Sequence, residues 1–366
     1  MRRLILAGGG HAHLSVLAAL AKGPLPDIEV VLVTPEVHQH YSGMLPGWIA
    51  GHYRQQACRI DLRPLARAGQ IRLETQKLIG LDADNRLVTL SDGRRLDYDL
   101  LSLDTGSEAD LSGLQMAGDK LLPAKPLTRF FDTWPARLEQ ARHLPEYRLV
   151  VVGGGAAGVE LALAAQHAFT QERIDGRVTL VSSGSGPLAG HGRGARKRIR
   201  RVLAAAGIEL HEQRATGTEK GVMLADGTRL QADCVIAAAG ASAPPWLTGT
   251  GLKLNEQGYV AVNSHHQSLS HPQVFAAGDV CARQDVPMSR SGVHAVHAGP
   301  VLAANLRAAL EGEPLSHYRP RRHSLYLLAT GPRYAVASWG PFSIEGKWVW
   351  YWKDHIDRGF IRRFSR

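Results

Sequence analysis

Arg2-Arg3-Leu4-Ile5-Leu6-Ala7-Gly8-Gly9-Gly10 returns later in the chain as Tyr147-Arg148-Leu149-Val150-Val151-Val152-Gly153-Gly154-Gly155, and each copy runs into an Ala/Leu-rich helical pattern. A repeat of this kind restricts the fold more than any property of composition, because the same supersecondary unit has to be built twice. A second pair of segments closes each copy: residues 90–99 leading to Gly106, and residues 224–233 leading to Gly240. Within each copy an apolar strand, a glycine turn, a helix and a further strand (28–33 and 178–181) form a βαβ unit, which implies a parallel sheet. The Asp92-Gly93 and Asp226-Gly227 pairs tolerate positive φ and mark the turns of a β-meander.

A Gly-x-Gly-x-x-Gly turn permits close backbone approach, and the helix after it offers free N–H groups and the positive end of its dipole to a pyrophosphate. The second copy, Gly153-x-Gly155-x-x-Gly158, is complete, with Ala156 and Ala157 opening its helix. The first keeps Gly8 and Gly10, followed by His11 and Ala12, but carries His13 in place of the third glycine, which predicts looser helix–strand packing and an intact phosphate site. The expected fold is therefore α/β, with two nested Rossmann-type dinucleotide-binding domains, β-meanders and a small C-terminal region. Pro244-Pro245 looks like a crossing back, and Val274-Phe275-Ala276-Ala277-Gly278-Asp279 reads as one more buried strand of the first domain, with a helix over about 293–310 behind it. The boundaries follow: 1–110 and 244–314 for the first domain, 111–243 for the second, 315–366 for the C-terminal region. An acid at the end of the second strand normally holds an adenosine ribose. Here Thr34 stands in that place, with Glu36 two residues on, and Ser182-Ser183 stand in the second copy. With no acid there, Arg193 or Arg196 could meet a 2′-phosphate, so NADH and NADPH both stay open.

The net charge of +10 admits phosphate-bearing cofactors, an anionic membrane surface or nucleic acid. The basic residues lack interleaved aromatics, which argues against nucleic acid. Cys58, Cys234 and Cys281 lie far apart and form neither a disulfide framework nor a zinc knuckle; they read as small buried fillers. His11/His13 and His38/His40 lack further ligands nearby, so no metal site is expected. The apolar start imitates an export leader until Gly8 to His13 interrupt it, and a reducing cytoplasm is the expected setting.

At this point the chain resembles the two-domain pyridine-nucleotide flavoproteins that include type II NADH dehydrogenases, sulfide:quinone oxidoreductases and ferredoxin reductases. Residues 97–107 look like that family's strand and A-T-G-S turn beside FAD, with Asp104 in place of the alanine and Thr105 and Gly106 retained. Phe275–Asp279 looks like its G-D motif, whose aspartate binds the ribityl chain. Tyr41-Ser42-Gly43-Met44-Leu45-Pro46-Gly47 and Trp352-Lys353-Asp354-His355-Ile356-Asp357-Arg358 resemble a branch encoded with, or fused to, selenide, water dikinase, which would be a partner.

The resemblance implies hydride transfer from NADH or NADPH to FAD and onward electron release. It places Glu160 near the nicotinamide–flavin contact, although the helix dipole alone would also favour a glutamate there. Gly240 would sit at the second nucleotide. The helix beginning at Ser289 takes the place that faces a quinone in type II dehydrogenases, where His294 and His297 on one face could line the pocket or simply finish the helix. Two other readings stay open: a sulfur or selenium donor in place of the nicotinamide, and a flavin-bearing docking or regulatory module. Finally, Trp348, Trp352, Ile356, Phe360 and Phe364 recur every fourth residue among Lys353, Arg358, Arg362 and Arg363. Such a stripe either lies on the membrane, here its inner face, or packs on the FAD domain.

Overall fold

The computed structural model describes residues 1–288, 290 and 292–365. In chain order the first half contains β1 (Arg2–Ala7), α1 (His11–Lys22), β2 (Ile28–Val33), α2 (Leu45–Ile49), β3 (Arg72–Glu74) and β4 (Leu100–Leu103). The second contains β5 (Leu121–Pro123), α3 (Leu127–His143), β6 (Tyr147–Val152), α4 (Ala156–Glu172), β7 (Gly176–Ser182), α5 (Arg193–Ala205), β8 (Glu209–Glu212) and β9 (Cys234–Ala237). The chain then returns to the first sheet through β10 (Val274–Ala276) and α6 (Gly292–Glu311). It ends in an antiparallel sheet, β11 (Leu325–Ala329), β12 (Ala335–Trp339) and β13 (Phe342–Gly346), followed by α7 (Lys347–Phe364).

Both large sheets are five-stranded and parallel, ordered β10-β4-β1-β2-β3 and β5-β9-β6-β7-β8. The two repeats thus occupy equivalent places, and the apolar runs Leu4–Ala7 and Leu149–Val152 become central strands covered on both faces, as parallel strands must be. In the first sheet α1 and α6 cover one face through Leu14, Leu17, Leu302 and Leu306. Gly299 lets those helices approach: a Cβ there would lie 2.7 Å from Ser15 Oγ and 2.8 Å from the Ala12 carbonyl. The meander covers the other face with Leu78, Val88 and Leu90. Its turn and that of the second meander use Gly93 (φ 86°) and Gly227 (φ 88°), as the Asp-Gly pairs require.

The C-terminal sheet is two-faced. Leu328 and Val336 point into the second half's core, and Arg198 of α5 pairs with Glu345 at 2.6 Å. The opposite face carries Ala335 and Ala337, on which α7 lays Val349 and Trp350. The aromatic stripe of α7 does not stay on one face. A step of four residues overshoots a turn by about 40°, so over four steps the stripe winds through about 160°. Phe364 is accordingly buried in the first half's core and Phe360 stacks on Tyr41, with ring centroids 4.5 Å apart, whereas Trp348, Trp352 and Ile356 are 55%, 39% and 42% exposed.

Candidate functional site

The glycine turns are built alike. Gly8 has φ 95° and Gly153 φ 136°, and a side chain at either would collide with the backbone carbonyl of Asp104 or Ala238 respectively. These two residues follow β4 and β9, so Asp104 and Ala238 are equivalent in the repeat. Gly10 and Gly155 are the N-caps of α1 and α4, with no side-chain cap of their own. At α4 the turn is open: Gly155 and Ala157 are exposed and Ala156 is half-exposed, and the first N–H groups of a helix have no partner within it. Gly158 packs so close to the Gly153 carbonyl that no side chain fits. Ser182, at the end of β7 against Gly154, is buried with its hydroxyl unpartnered, and Gly240 (φ 60°) turns the chain away after β9. An orphaned buried hydroxyl beside an open helix N-terminus suits a nucleotide.

In the first half the same place is furnished differently. His13 does not leave a gap where glycine was expected: its Nδ1 lies 2.6 Å from the Gly8 carbonyl and its Nε2 2.8 Å from Ser102 Oγ. A carbonyl only accepts, so Nδ1–H donates to Gly8 and Nε2 accepts the Ser102 hydroxyl proton. Burial, opposed by the Gly8 bond, lowers His13 to about 4, so the ring is neutral and ties α1 to β4. Thr34 is buried beside Gly9, its hydroxyl donating to the Glu36 carbonyl at 3.2 Å. Thr105 Oγ1 and His11 Nε2 are buried with no partner, Gly106 (φ 77°) carries the turn, and Gly278 (φ 71°) brings Asp279 beside them. Asp279 pairs with Lys125 at 2.6 Å, and Ser107 bonds the same lysine at 2.9 Å. These orphaned donors and acceptors around a glycine turn fit FAD.

The two halves meet at a cluster that the sequence did not reveal. Lys353, buried on α7, donates to Asp357 at 2.7 Å and to the Gly43 carbonyl at 2.6 Å, and Tyr41 donates to Asp357 at 3.2 Å. Burial opposes the Lys353 charge, but Asp357 and Glu160 outweigh it and its pKa is raised. Tyr41 in turn packs edge-on to His11 at 5.6 Å. Pro46 lies at the buried start of α2, just behind this loop. From the second half, α4 contributes Glu160, which accepts the Ala329 N–H at 2.8 Å. Burial raises the Glu160 carboxyl to about 7, against the pull of Lys353. One local signal was present, the i, i+4 spacing of Lys353 and Asp357 among tryptophans. Lys125 carried none.

The remaining candidates are scattered. Gly292 at the start of α6 lies beside Ser42, which brings that helix to the cluster, whereas Ser289 and Ser291 fall outside the described residues. His294 is buried and His297 exposed, and burial lowers the pKa of both. All three cysteines are buried and free; burial pushes Cys58 and Cys234 up to about 12 and Cys281 further. No group of three or more His, Cys, Asp or Glu able to hold a metal occurs among the described residues.

A parallel sheet with a glycine turn, a nested copy of the same unit with a second turn, and a junction of titratable groups between them fit a pyridine-nucleotide-dependent flavoprotein oxidoreductase. Residues 2–299 match the family described as pyridine nucleotide-disulphide oxidoreductase, and the chain belongs to that family. Solved structures share its fold. The NDH2 structure from Plasmodium falciparum in complex with NADH superposes with a TM-score of 0.80 at 13% identity, covering 99% of this chain and 97% of that one. The sulfide:quinone oxidoreductase of Aquifex aeolicus gives 0.82 at 17%, covering 100% and 92%. Among sequence relatives, ferroptosis suppressor protein 1 of Xenopus tropicalis is 24% identical over 344 residues, 89% of this chain and 85% of the relative. The chain therefore binds FAD and NAD(P)H.

Proposed function

We propose that this protein is a peripheral NAD(P)H dehydrogenase that passes electrons from FAD to a quinone-type acceptor. The observation that carries this reading is the convergence of Glu160, from the half that holds the nicotinamide nucleotide, with Lys353, Asp357 and Tyr41 beside His11 of the half that holds FAD. FAD, when bound, supplies the hydride acceptor and the outgoing electrons. The chain's own part is to orient and to manage protons. Glu160, poised near neutrality, would hold or release a proton at this junction, and the Lys353 ammonium, held by Asp357, would fix the charge and hydrogen bonding around it.

A quinone acceptor is supported by the fold shared with a sulfide:quinone oxidoreductase, and a lipid surface by the exposed end of the C-terminal region. Trp339, Phe342 and Ile344 share the sheet face on which α7 lies, and they are exposed together with Trp348, Tyr351 and Trp352. Aromatic side chains beside basic ones suit an anionic membrane surface. No helix among the described residues is long and apolar enough to cross a membrane. Cytoplasmic location at the inner face of the membrane belongs to the same proposal.

The test is anaerobic. NADH or NADPH is added to the yellow holoprotein, bleaching of the flavin band is followed, and a soluble quinone is then admitted. Fast bleaching that quinone reverses supports the proposal, and the better nucleotide settles the choice left open at Ser182-Ser183. Flavin that neither nucleotide bleaches sinks it and favours a second reading, for which the absence of a ribose-binding acid at Ser182 speaks. There the donor is a reduced sulfur or selenium species, in keeping with the resemblance to the branch partnered by selenide, water dikinase.

A further inference from the structure

The internal repeat supplies its own control for one residue. At equivalent places after the fourth strand of each half stand Asp104 and Ala238, each with its backbone carbonyl against the first glycine of the turn. Beyond that carbonyl the two halves diverge. The Asp104 side chain, with the residue only 4% exposed, reaches into the first turn of α1 and accepts the His13 N–H at 2.9 Å. A Cβ on Gly10 would collide with its carboxyl group, and one on Gly278 would meet its Oδ1 at 2.5 Å. The carboxyl is thus wedged between the turn that receives a pyrophosphate and the glycine that leads to Asp279. In the second half a methyl group occupies that place and leaves the helix end to the ligand.

We infer that Asp104 sets how tightly the first half holds FAD: ionised, it takes the helix-end N–H groups and repels the pyrophosphate; protonated, it yields them and becomes a donor itself. At a pH where Asp104 is ionised before FAD arrives, binding of FAD then takes up a proton. No cation is at hand to relieve the conflict. Among the described residues no Lys, Arg or His side chain forms an ion pair with Asp104, and Lys125 is engaged by Asp279. The other groups that face it are Asp279, which disfavours a second negative charge, the Cys281 thiol, and the neutral ring of His13, turned towards Gly8 and Ser102. Burial, opposed by the His13 and Ala12 N–H groups, holds Asp104 well above the usual carboxylate range. The inference concerns the flavin site alone and stands whichever donor and acceptor the protein uses.

The experiment follows FAD release from diluted holoprotein by recovery of free-flavin fluorescence between pH 6 and 9, with far-UV circular dichroism at each pH as a check on folding. In the unaltered protein the apparent dissociation constant should climb with pH, approaching about tenfold per unit. Asp104→Asn should give a flat profile and hold FAD at least about tenfold more tightly at pH 9, while leaving NAD(P)H affinity in the second half unchanged. Asp104→Ala, which copies Ala238, should do the same if the Asn variant folds poorly. A flat profile in the unaltered protein, or the same slope in the variants, overturns the inference.

Discussion

Lys353 and Asp357, one helical turn apart on α7, form a buried 2.7 Å ion pair whose further partners, the Gly43 carbonyl and the Tyr41 hydroxyl, come from the other end of the chain. Two buried charges gain little over an apolar pair of the same shape, but removing one strands the other. Lys353→Met should therefore cost about 3–5 kcal/mol of stability in urea unfolding, and Lys353→Met with Asp357→Leu should recover part of it. Wild-type stability in the single variant would show that water reaches Asp357.

Glu160 predicts a pH dependence of opposite sign to that of an ordinary salt-bridged carboxylate. Its folded pKa, raised by burial to about 7, exceeds the unfolded value, so the folded state binds more protons between pH 4.5 and 7 and stability falls as pH rises through that window. Glu160→Gln should flatten this slope and be more stable above pH 7 by roughly 1–3 kcal/mol. Urea midpoints at pH 5 and pH 8 check it. In the same variant, flavin reduction by NAD(P)H should slow and lose its pH dependence near neutrality.

The tautomer assigned to His13 can be tested through its neighbour. Ser102→Ala leaves Nε2 buried with nothing to accept from, at a cost of about 1–3 kcal/mol, while the Nδ1–H bond to Gly8 keeps the tautomer. Thermal unfolding reads the first, and imidazole nitrogen chemical shifts the second. A shift to the other tautomer would contradict the hydrogen-bond pattern.

The exposed indoles should matter to lipid and not to folding. Trp348→Ser with Trp352→Ser should lower cosedimentation with phosphatidylglycerol vesicles by about tenfold or more, with stability changed by only about 0.5 kcal/mol. Equal sedimentation of variant and parent would remove the membrane from the proposed function.

The glycine turns and Asp-Gly hairpins were legible in the sequence because their requirement, a positive φ or a close approach, is local to a few residues. The parallel sheets were legible because the repeat states its order twice. What escaped depends on contacts between distant parts: nothing near Lys353 announces that its proton meets Gly43, 310 residues away, and nothing near Lys125 announces Asp279. The α7 stripe suggests either packing on the FAD domain or lying on the membrane, and its far end does pack on the first half. That it would not do so along its whole length was hidden, because a four-residue period looks like a single face on paper and becomes a slow spiral on a helix. The change from glycine to histidine at position 13 was visible, but its two ring bonds required Ser102 to be placed opposite.

Because residues 347–364 fasten the loop that follows the first βαβ unit, a chain emerging from the ribosome can fold both sheets and still lack the junction between them. Asp357 must leave the exit tunnel before Tyr41 finds the partner of its hydroxyl. Until then the junction has no lock, so a nascent chain stalled before α7 should capture FAD weakly and release it readily.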